Sequence, residues 1–106
     1  MAKVTVVTDD LLFGSRVEQS LLGAGHLVRV SAEPDPDADV LIADLTLTGD
    51  PSALVREGRP VLGYYSHVDP APRQAAIEAG VEIAVPRSRL VRELPELLES
   101  LLDRDE

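Results

Sequence analysis

The stretch VLIADLT at residues 40–46 closes a short apolar run with a single carboxylate, Asp44. A continuous apolar run of this length is typical of a parallel strand that is covered on both faces. A second such run, residues 4–7, is followed by Asp9 and Asp10. Adjacent parallel strands release their carboxyl ends into one crevice, so we expect these acids to converge. Because carboxylates suit a hard cation, the sequence predicts an acidic pocket of a size that can hold Mg²⁺.

The composition indicates one compact domain over residues 1–106, because 44% of the residues are apolar and the length leaves no room for a second core. No apolar run approaches the ~20 residues needed to cross a bilayer, and the chain starts without a signal-peptide segment. We therefore expect a cytoplasmic protein with no membrane partner. The absence of cysteine excludes disulfides and thiolate chemistry. A formal net charge of -9 repels phosphate backbones, so proteins or cations are expected as partners instead of nucleic acid.

Strand and helix patterns alternate along the chain. Apolar runs predict strands at residues 4–7, 27–30, 40–43, 61–65 and 81–85. Between the first two strands, Phe13, Val17 and Leu21 recur on one helical face, and Asp9 or Asp10 is a suitable N-cap. This alternation predicts an α/β sandwich with a parallel sheet, since parallel neighbours need crossover connections.

Prolines in two stretches of the sequence predict local structure. Residues 31–37, SAEPDPD, contain two prolines that exclude a regular helix, so we predict an extended loop with few hydrogen bonds. A leucine-rich helix ends the chain, and Ser88 is its predicted N-cap. Pro95 lies within that helix and should kink it, or else the helix begins near Leu94 with Pro95 in its first turn.

The order of these patterns resembles the response-regulator receiver family over nearly the whole chain. The matching fragments are VVTDD at residues 6–10, VLIADLT at 40–46, PVLGYY at 60–65, AIEAG at 76–80 and VPRS at 85–88. The resemblance implies a flavodoxin-like, receiver-type three-layer sandwich with five parallel strands in the order 2-1-3-4-5. In this chain the helix between strands two and three is expected to be lost or replaced by a loop.

The resemblance also implies a phosphorelay function. Asp44 falls on the aspartate that accepts the phosphoryl group in this family, with Mg²⁺ held by Asp9, Asp10, Asp44 and the backbone carbonyl of Thr46. The implied partners are a histidine kinase or phosphotransfer protein and a downstream protein effector, with a homodimer left open. No motif for substrate turnover is present, so an enzyme is not expected.

The chain departs from the family at several positions. An ungapped count from Phe13 places Thr8 and Asp9 on the family's acid pair, so Asp9 is the first choice for the metal and Asp10 its substitute. The three phosphate-binding candidates are Arg87, at the position of the family's lysine, Tyr65, at that of its hydroxyl residue, and Ser66, which is next along the chain. Ala84 replaces the family's switch aromatic, so any output mechanism must differ.

Other interpretations stay open at this point. Asp9 or Asp10 could act only as a cap, Asp44 could satisfy loop amides, and Arg87 could pair with Asp44 instead of contacting phosphate. The first alternative function is a pseudo-receiver, a phosphorylation-independent module that binds proteins. A weaker alternative is a flavodoxin-like protein that binds a small ligand in the same crevice.

Overall fold

The computed structural model describes residues 2–47, 52–55, 58–65 and 71–103, which form a five-stranded parallel sheet with helices on both faces. The strands are β1 (Lys3–Val7), β2 (Leu27–Ser31), β3 (Val40–Asp44), β4 (Val61–Tyr65) and β5 (Ile83–Pro86). The helices are α1 (Leu11–Gly23), α2 (Ser52–Val55), α3 (Ala71–Ala79) and α4 (Arg87–Asp103). The strand order β2-β1-β3-β4-β5 confirms the predicted flavodoxin-like, receiver-type topology.

The core lies in two layers because successive side chains of a strand point to opposite faces of the sheet. On one face, Val6, Ile42 and Tyr64 pack with the apolar sides of α1 and α4. On the other face, Leu41 and Tyr65 belong to the cluster that includes α2 and α3. Every residue of β3 and β4 is buried, as expected for central parallel strands covered on both sides.

The crossover from β2 to β3 contains no helix among residues 32–39, all of which are described, and this confirms the predicted loop. The loop makes more hydrogen bonds than the sequence suggested, because Asp35 contacts several residues outside it. The Asp35 amide donates to Thr5 Oγ1 at 3.4 Å, and its side chain lies 3.4 Å from the Arg29 guanidinium. Arg59 donates to the Asp35 carbonyl. The expectation of few hydrogen bonds was therefore wrong.

β5 begins at Ile83, two residues later than predicted, because Val81 takes part in the capping turn that follows α3. The Val81 amide donates to the Ala76 carbonyl at 3.0 Å, and the Gly80 amide donates to the Ile77 carbonyl at 3.1 Å. This pair of bonds is a Schellman motif, which needs a left-handed residue that glycine adopts without strain. Gly80 has φ +104 and supplies that left-handed residue, so the cap also uses Val81, which the apolar pattern had assigned to the strand.

α4 follows β5 without a loop, and this overturns the prediction that Ser88 caps it. The helix begins at Arg87, immediately after the last residue of β5, so Ser88 already lies inside the helix. The predicted kink is confirmed, since Glu93 has non-helical angles of φ -118 and ψ 17. Pro95 explains the break, because its ring clashes with the preceding turn and offers no amide hydrogen. Among the residues that the structure describes, no helix is long and apolar enough to cross a membrane.

Candidate functional site

Asp44 ends β3 with its side chain buried at the carboxyl edge of the sheet. Only 6% of the residue is exposed. Its Oδ1 accepts hydrogen bonds from the amides of Thr46, at 2.9 Å, and Leu47, at 3.4 Å. These bonds orient the carboxylate so that Oδ2 is directed toward Arg87. The predicted loop-amide contacts are therefore present, and they leave one oxygen of Asp44 facing the other charged groups.

Asp10 is the acid that meets Asp44 in the same pocket. It is the N-cap of α1, and its Oδ1 accepts from the Phe13 amide at 3.0 Å. The Asp10 amide in turn donates to the Thr8 hydroxyl at 3.1 Å, which fixes the turn before the helix. Asp9, the first choice for the metal, lies on the preceding bend with an exposed side chain and is not part of the pocket wall. Asp10 was the predicted substitute, and capping turns its carboxylate inward.

Arg87 links the two acids. Its Nη1 lies 3.4 Å from Asp10 Oδ2, and its Nη2 lies 3.9 Å from Asp44 Oδ2. The guanidinium carbon also stands 4.5 Å from the centre of the Phe13 ring, a cation–π contact. The pairing of Arg87 with Asp44, one of two roles that the sequence left open for this arginine, is thus observed. The start of α4 directly after β5 is what brings Arg87 to the carboxyl edge.

Two tyrosines at the end of β4 border the site from opposite faces of the sheet. Tyr64 packs on Phe13 with ring centres 4.7 Å apart, and its hydroxyl is buried without a hydrogen-bond partner. Burial raises the pKa of Tyr64 to about 12, and Asp44 adds to the rise. The Thr8 hydroxyl and Arg87 oppose that rise, although Thr8 does not reach hydrogen-bond geometry with the phenol. Tyr65 lies on the other face and also lines the pocket.

These side chains surround a cavity of about 810 Å³. Its charged and polar wall includes Asp10, Asp44, Thr46 and Arg87, and its apolar wall includes Phe13 and Val91. Ser66, a predicted phosphate contact, lies outside the described residues. In the described part of the chain, no three His, Cys, Asp or Glu side chains come together as a metal site. The polar wall can hold an anion through Arg87 or a cation through the two acids.

Sequence reasoning missed the part that Phe13 plays in this site. The helical periodicity had assigned Phe13 to the core, and it is buried there. The spacing from Asp10 to Phe13 offered a further signal, because the third residue after an N-cap lies above the cap on the first turn. An aromatic residue at that position lies beside the capping acid, so its ring can contact the cation that pairs with the acid.

The comparisons with known proteins match the fold of this chain but not its sequence. No family model matches the chain, and no curated protein matches it. The receiver domain of the TMAO respiratory system response regulator TorR matches with a TM-score of 0.86 and 20% identity over 100% of both chains. The receiver domain of Francisella response regulator 1452 matches with a TM-score of 0.82 and 15% identity, again over 100% of both chains.

A CheY-like response regulator receiver domain protein from Methanospirillum hungatei matches in the same way. Its TM-score is 0.81 at 16% identity, over 98% of this chain and 95% of that chain. At such low identity, these matches show that the chain has the receiver fold along its whole length.

Proposed function

We propose that this protein is a receiver of a two-component phosphorelay that accepts a phosphoryl group on Asp44. The observation that carries the proposal is a buried carboxylate at the end of β3, in one pocket with a second acid, Asp10, and a cation, Arg87. The receiver fold supports the same role, because open parallel sheets bind ligands at this edge.

The geometry of Asp44 suits attack on phosphorus. Its Oδ1 is held by two backbone amides, whereas Oδ2 is directed toward Arg87, so Oδ2 is the attacking oxygen. The new bond from Oδ2 to phosphorus forms as the bond to the donor breaks, and the leaving group keeps the electron pair. Phosphoryl transfer depends mainly on positioning and charge neutralisation. Arg87 contributes a guanidinium that can bind the transferred oxygens in bidentate fashion.

Asp10, Asp44 and the backbone carbonyl of Thr46 are the groups that would hold Mg²⁺. Oδ2 of Asp10 and Oδ2 of Asp44 both lie within 4 Å of the Arg87 guanidinium, and carboxylate oxygens are donors that suit this ion. A bound Mg²⁺ would neutralise negative charge on the phosphoryl oxygens. Because the Asp9 side chain is exposed outside the pocket, Asp10 becomes our first choice as the second carboxylate. Tyr65 and Ser66 remain predicted phosphate contacts.

A histidine kinase or phosphotransfer protein would supply the phosphoryl group, and a downstream protein effector would read the result by direct contact. The negative charge of the chain argues against direct reading of nucleic acid. Self-phosphorylation of Asp44 would be a step in signalling, so we do not propose an enzymatic activity on a separate substrate.

The test is incubation of the purified protein with acetyl phosphate, with Mg²⁺ or with a chelator, followed by intact mass. We expect one phosphoryl adduct that requires Mg²⁺ and is absent from Asp44→Asn. Asp10→Asn should reduce the adduct strongly, and Asp9→Asn is the matched control that removes a neighbouring acid outside the pocket. An adduct that persists in Asp44→Asn would overturn the assignment of Asp44.

A pseudo-receiver that binds proteins without phosphorylation is the second candidate. Two observations favour it: Arg87 already pairs with both acids and offsets part of their charge, and a buried threonine, Thr8, stands where the receiver pattern has a carboxylate. Absence of an adduct from the protein, together with no response to Mg²⁺, would move the proposal to this function.

A further inference from the structure

β2 lies at one end of the sheet, with β1 as its neighbour. The Leu27 amide donates to the Ala2 carbonyl at 3.0 Å, on the side of β1. Because the peptide groups of successive residues point to opposite sides of a strand, Val28 and Val30 direct their N–H and C=O groups away from β1. No hydrogen bond joins these four groups to any residue in the described ranges. They form the free edge of β2, which is open to another strand.

The free edge of β2 lacks the features that usually block such an edge. β2 contains no proline, and its five residues pair with β1 in an unbroken register, which excludes a bulge. The one charged residue of the strand, Arg29, turns toward the loop of residues 32–39, where its Nη1 lies 3.4 Å from Asp35 Oδ2. An edge strand without proline, bulge or an outward charge is a ready template for pairing with another chain.

A groove beside the free edge of β2 can receive side chains of an added strand. The crossover from β2 to β3 has no helix, and a cavity of about 220 Å³ remains between the loop and the sheet. Thr5 and Leu27 line it from the strands, and Asp35 and Asp37 line it from the loop. Every second side chain of an added strand would lie on the same face of the sheet as Leu27, which is 50% exposed. Such pockets give strand addition its specificity.

The charge of the loop favours a basic segment as the occupant. The loop contains no lysine or arginine and carries four acids, namely Glu33, Asp35, Asp37 and Asp39. Asp35 already pairs with Arg29, but the exposed side chains of Glu33 and Asp37 form no ion pair within the described part of the chain. A lysine or arginine of an added strand can lay its apolar stem along Leu27 while its charge reaches these acids.

We propose that the free edge of β2 binds an extended, basic segment of a partner protein, which adds to the sheet as a sixth strand. Backbone hydrogen bonds to Val28 and Val30 supply affinity, and the loop acids select basic side chains. A second copy of this chain is a poorer occupant, because it would bring the same acidic loop and a further net charge of -9 to the contact. The proposal goes beyond phosphorylation, since it uses neither Asp44 nor its pocket.

The experiment is an NMR titration of the isotope-labelled protein with a short, capped peptide of alternating lysine and valine. We expect saturable shifts centred on the Val28 and Val30 amides, with slower hydrogen exchange at both. The matched control is the same peptide with every backbone amide N-methylated, which keeps the charge but cannot donate to the edge. It should bind about tenfold more weakly, because more than one hydrogen bond is lost.

Two double variants test the part played by the loop charge. Glu33→Gln with Asp37→Asn removes two exposed acids beside the groove, and Glu96→Gln with Glu99→Gln removes two exposed acids from α4. The loop variant should bind the unmodified peptide about threefold to tenfold more weakly than the protein does, whereas the α4 variant should change the affinity by less than about twofold.

Several outcomes would overturn the proposal. Absence of binding, or equal affinities of the two peptides, would show that the edge does not pair with a basic strand. Equal losses in the two double variants would leave only the overall charge as the cause of binding. Protection of the Val28 and Val30 amides that rises with protein concentration, without peptide, would identify a second copy as the occupant.

Discussion

Tyr64 places a phenol without a hydrogen-bond partner next to the charged groups of the pocket. Its side chain is fully buried, and the hydroxyl is one of the few buried polar atoms of the described residues that lack a partner. An unsatisfied buried hydroxyl typically costs about 1–3 kcal/mol of stability. At the scale of single residues, the buried hydroxyl of Tyr64 near Asp44 and Arg87 therefore lowers the stability of the fold.

The raised pKa of Tyr64 predicts a loss of stability at high pH. Between the ordinary value of 10.0 and the folded value of about 12, the unfolded tyrosine releases its proton while the folded one keeps it. The free energy of unfolding should therefore fall as the pH rises through this window, by about 2–3 kcal/mol in all. Urea unfolding of the protein and of Tyr64→Phe at pH 8 to 12 checks this.

The contribution of Tyr64 is the difference between those two proteins, because other groups also titrate at such pH. Tyr64→Phe should lack this part of the fall and should be at least as stable at pH 8, since it removes an unsatisfied hydroxyl. Tyr65→Phe is the control and should keep the fall. Parallel pH curves for the protein and Tyr64→Phe would contradict the prediction.

Contact between α1 and β2 depends on Gly14. A Cβ atom added at this glycine would stand 2.7 Å from Val30 Cγ1 and 3.2 Å from Thr8 Cγ2. Both neighbours are short β-branched side chains that cannot swing away. At the scale of elements, Gly14 therefore lets the first helix approach the edge strand closely, and this approach also sets the position of the helix N-terminus that carries Asp10.

Gly14→Ala should lower the free energy of unfolding by up to about 2 kcal/mol. Overpacking against Val30 costs about 1–3 kcal/mol, and the better helix propensity of alanine offsets at most about 1 kcal/mol of this cost. Gly23→Ala is the matched control in the same helix, because its Cβ would meet nothing within 4 Å. That variant should be unchanged or slightly more stable. Similar stabilities of the two variants in urea would show that α1 can shift away from β2.

The whole molecule carries 19 acids against 10 bases within dimensions of 33 × 29 × 23 Å. The Debye length at 0.01 M salt is about 30 Å, so at low salt nearly every charge acts on every other. Net negative charge then opposes the compact state through self-repulsion. The few ion pairs of the pocket and of α4 are partly exposed and too weak to reverse this effect.

Salt should therefore stabilise the protein. Raising NaCl from 0.01 M to 0.15 M shortens the Debye length to about 8 Å and should increase the free energy of unfolding at pH 7. Urea is the suitable denaturant, because it adds no ions. A decrease in stability with added salt would mean that local ion pairs, and not the overall repulsion, dominate the electrostatics.

The sequence by itself determined the order of the elements, the parallel sheet, the absence of a helix between β2 and β3, and the place of Asp44 at the end of β3. These follow from local signals, namely apolar runs, helical periodicity and two prolines, which act within a few residues. Only the tertiary structure decided which acid shares the pocket with Asp44, because Asp9 and Asp10 are neighbours in the chain and differ only once Asp10 caps α1.

Tertiary structure also decided the part played by Arg87. The arginine pairs with Asp10, 77 residues earlier in the chain, and with Asp44 on β3, and neither contact has a local signature. Both depend on α4 starting directly after β5 and on Phe13 standing beneath the guanidinium. The sequence predicted which charged residues lie at the site. Their pairing depends on the way α1, β3 and α4, which are distant in the chain, meet at one edge of the sheet.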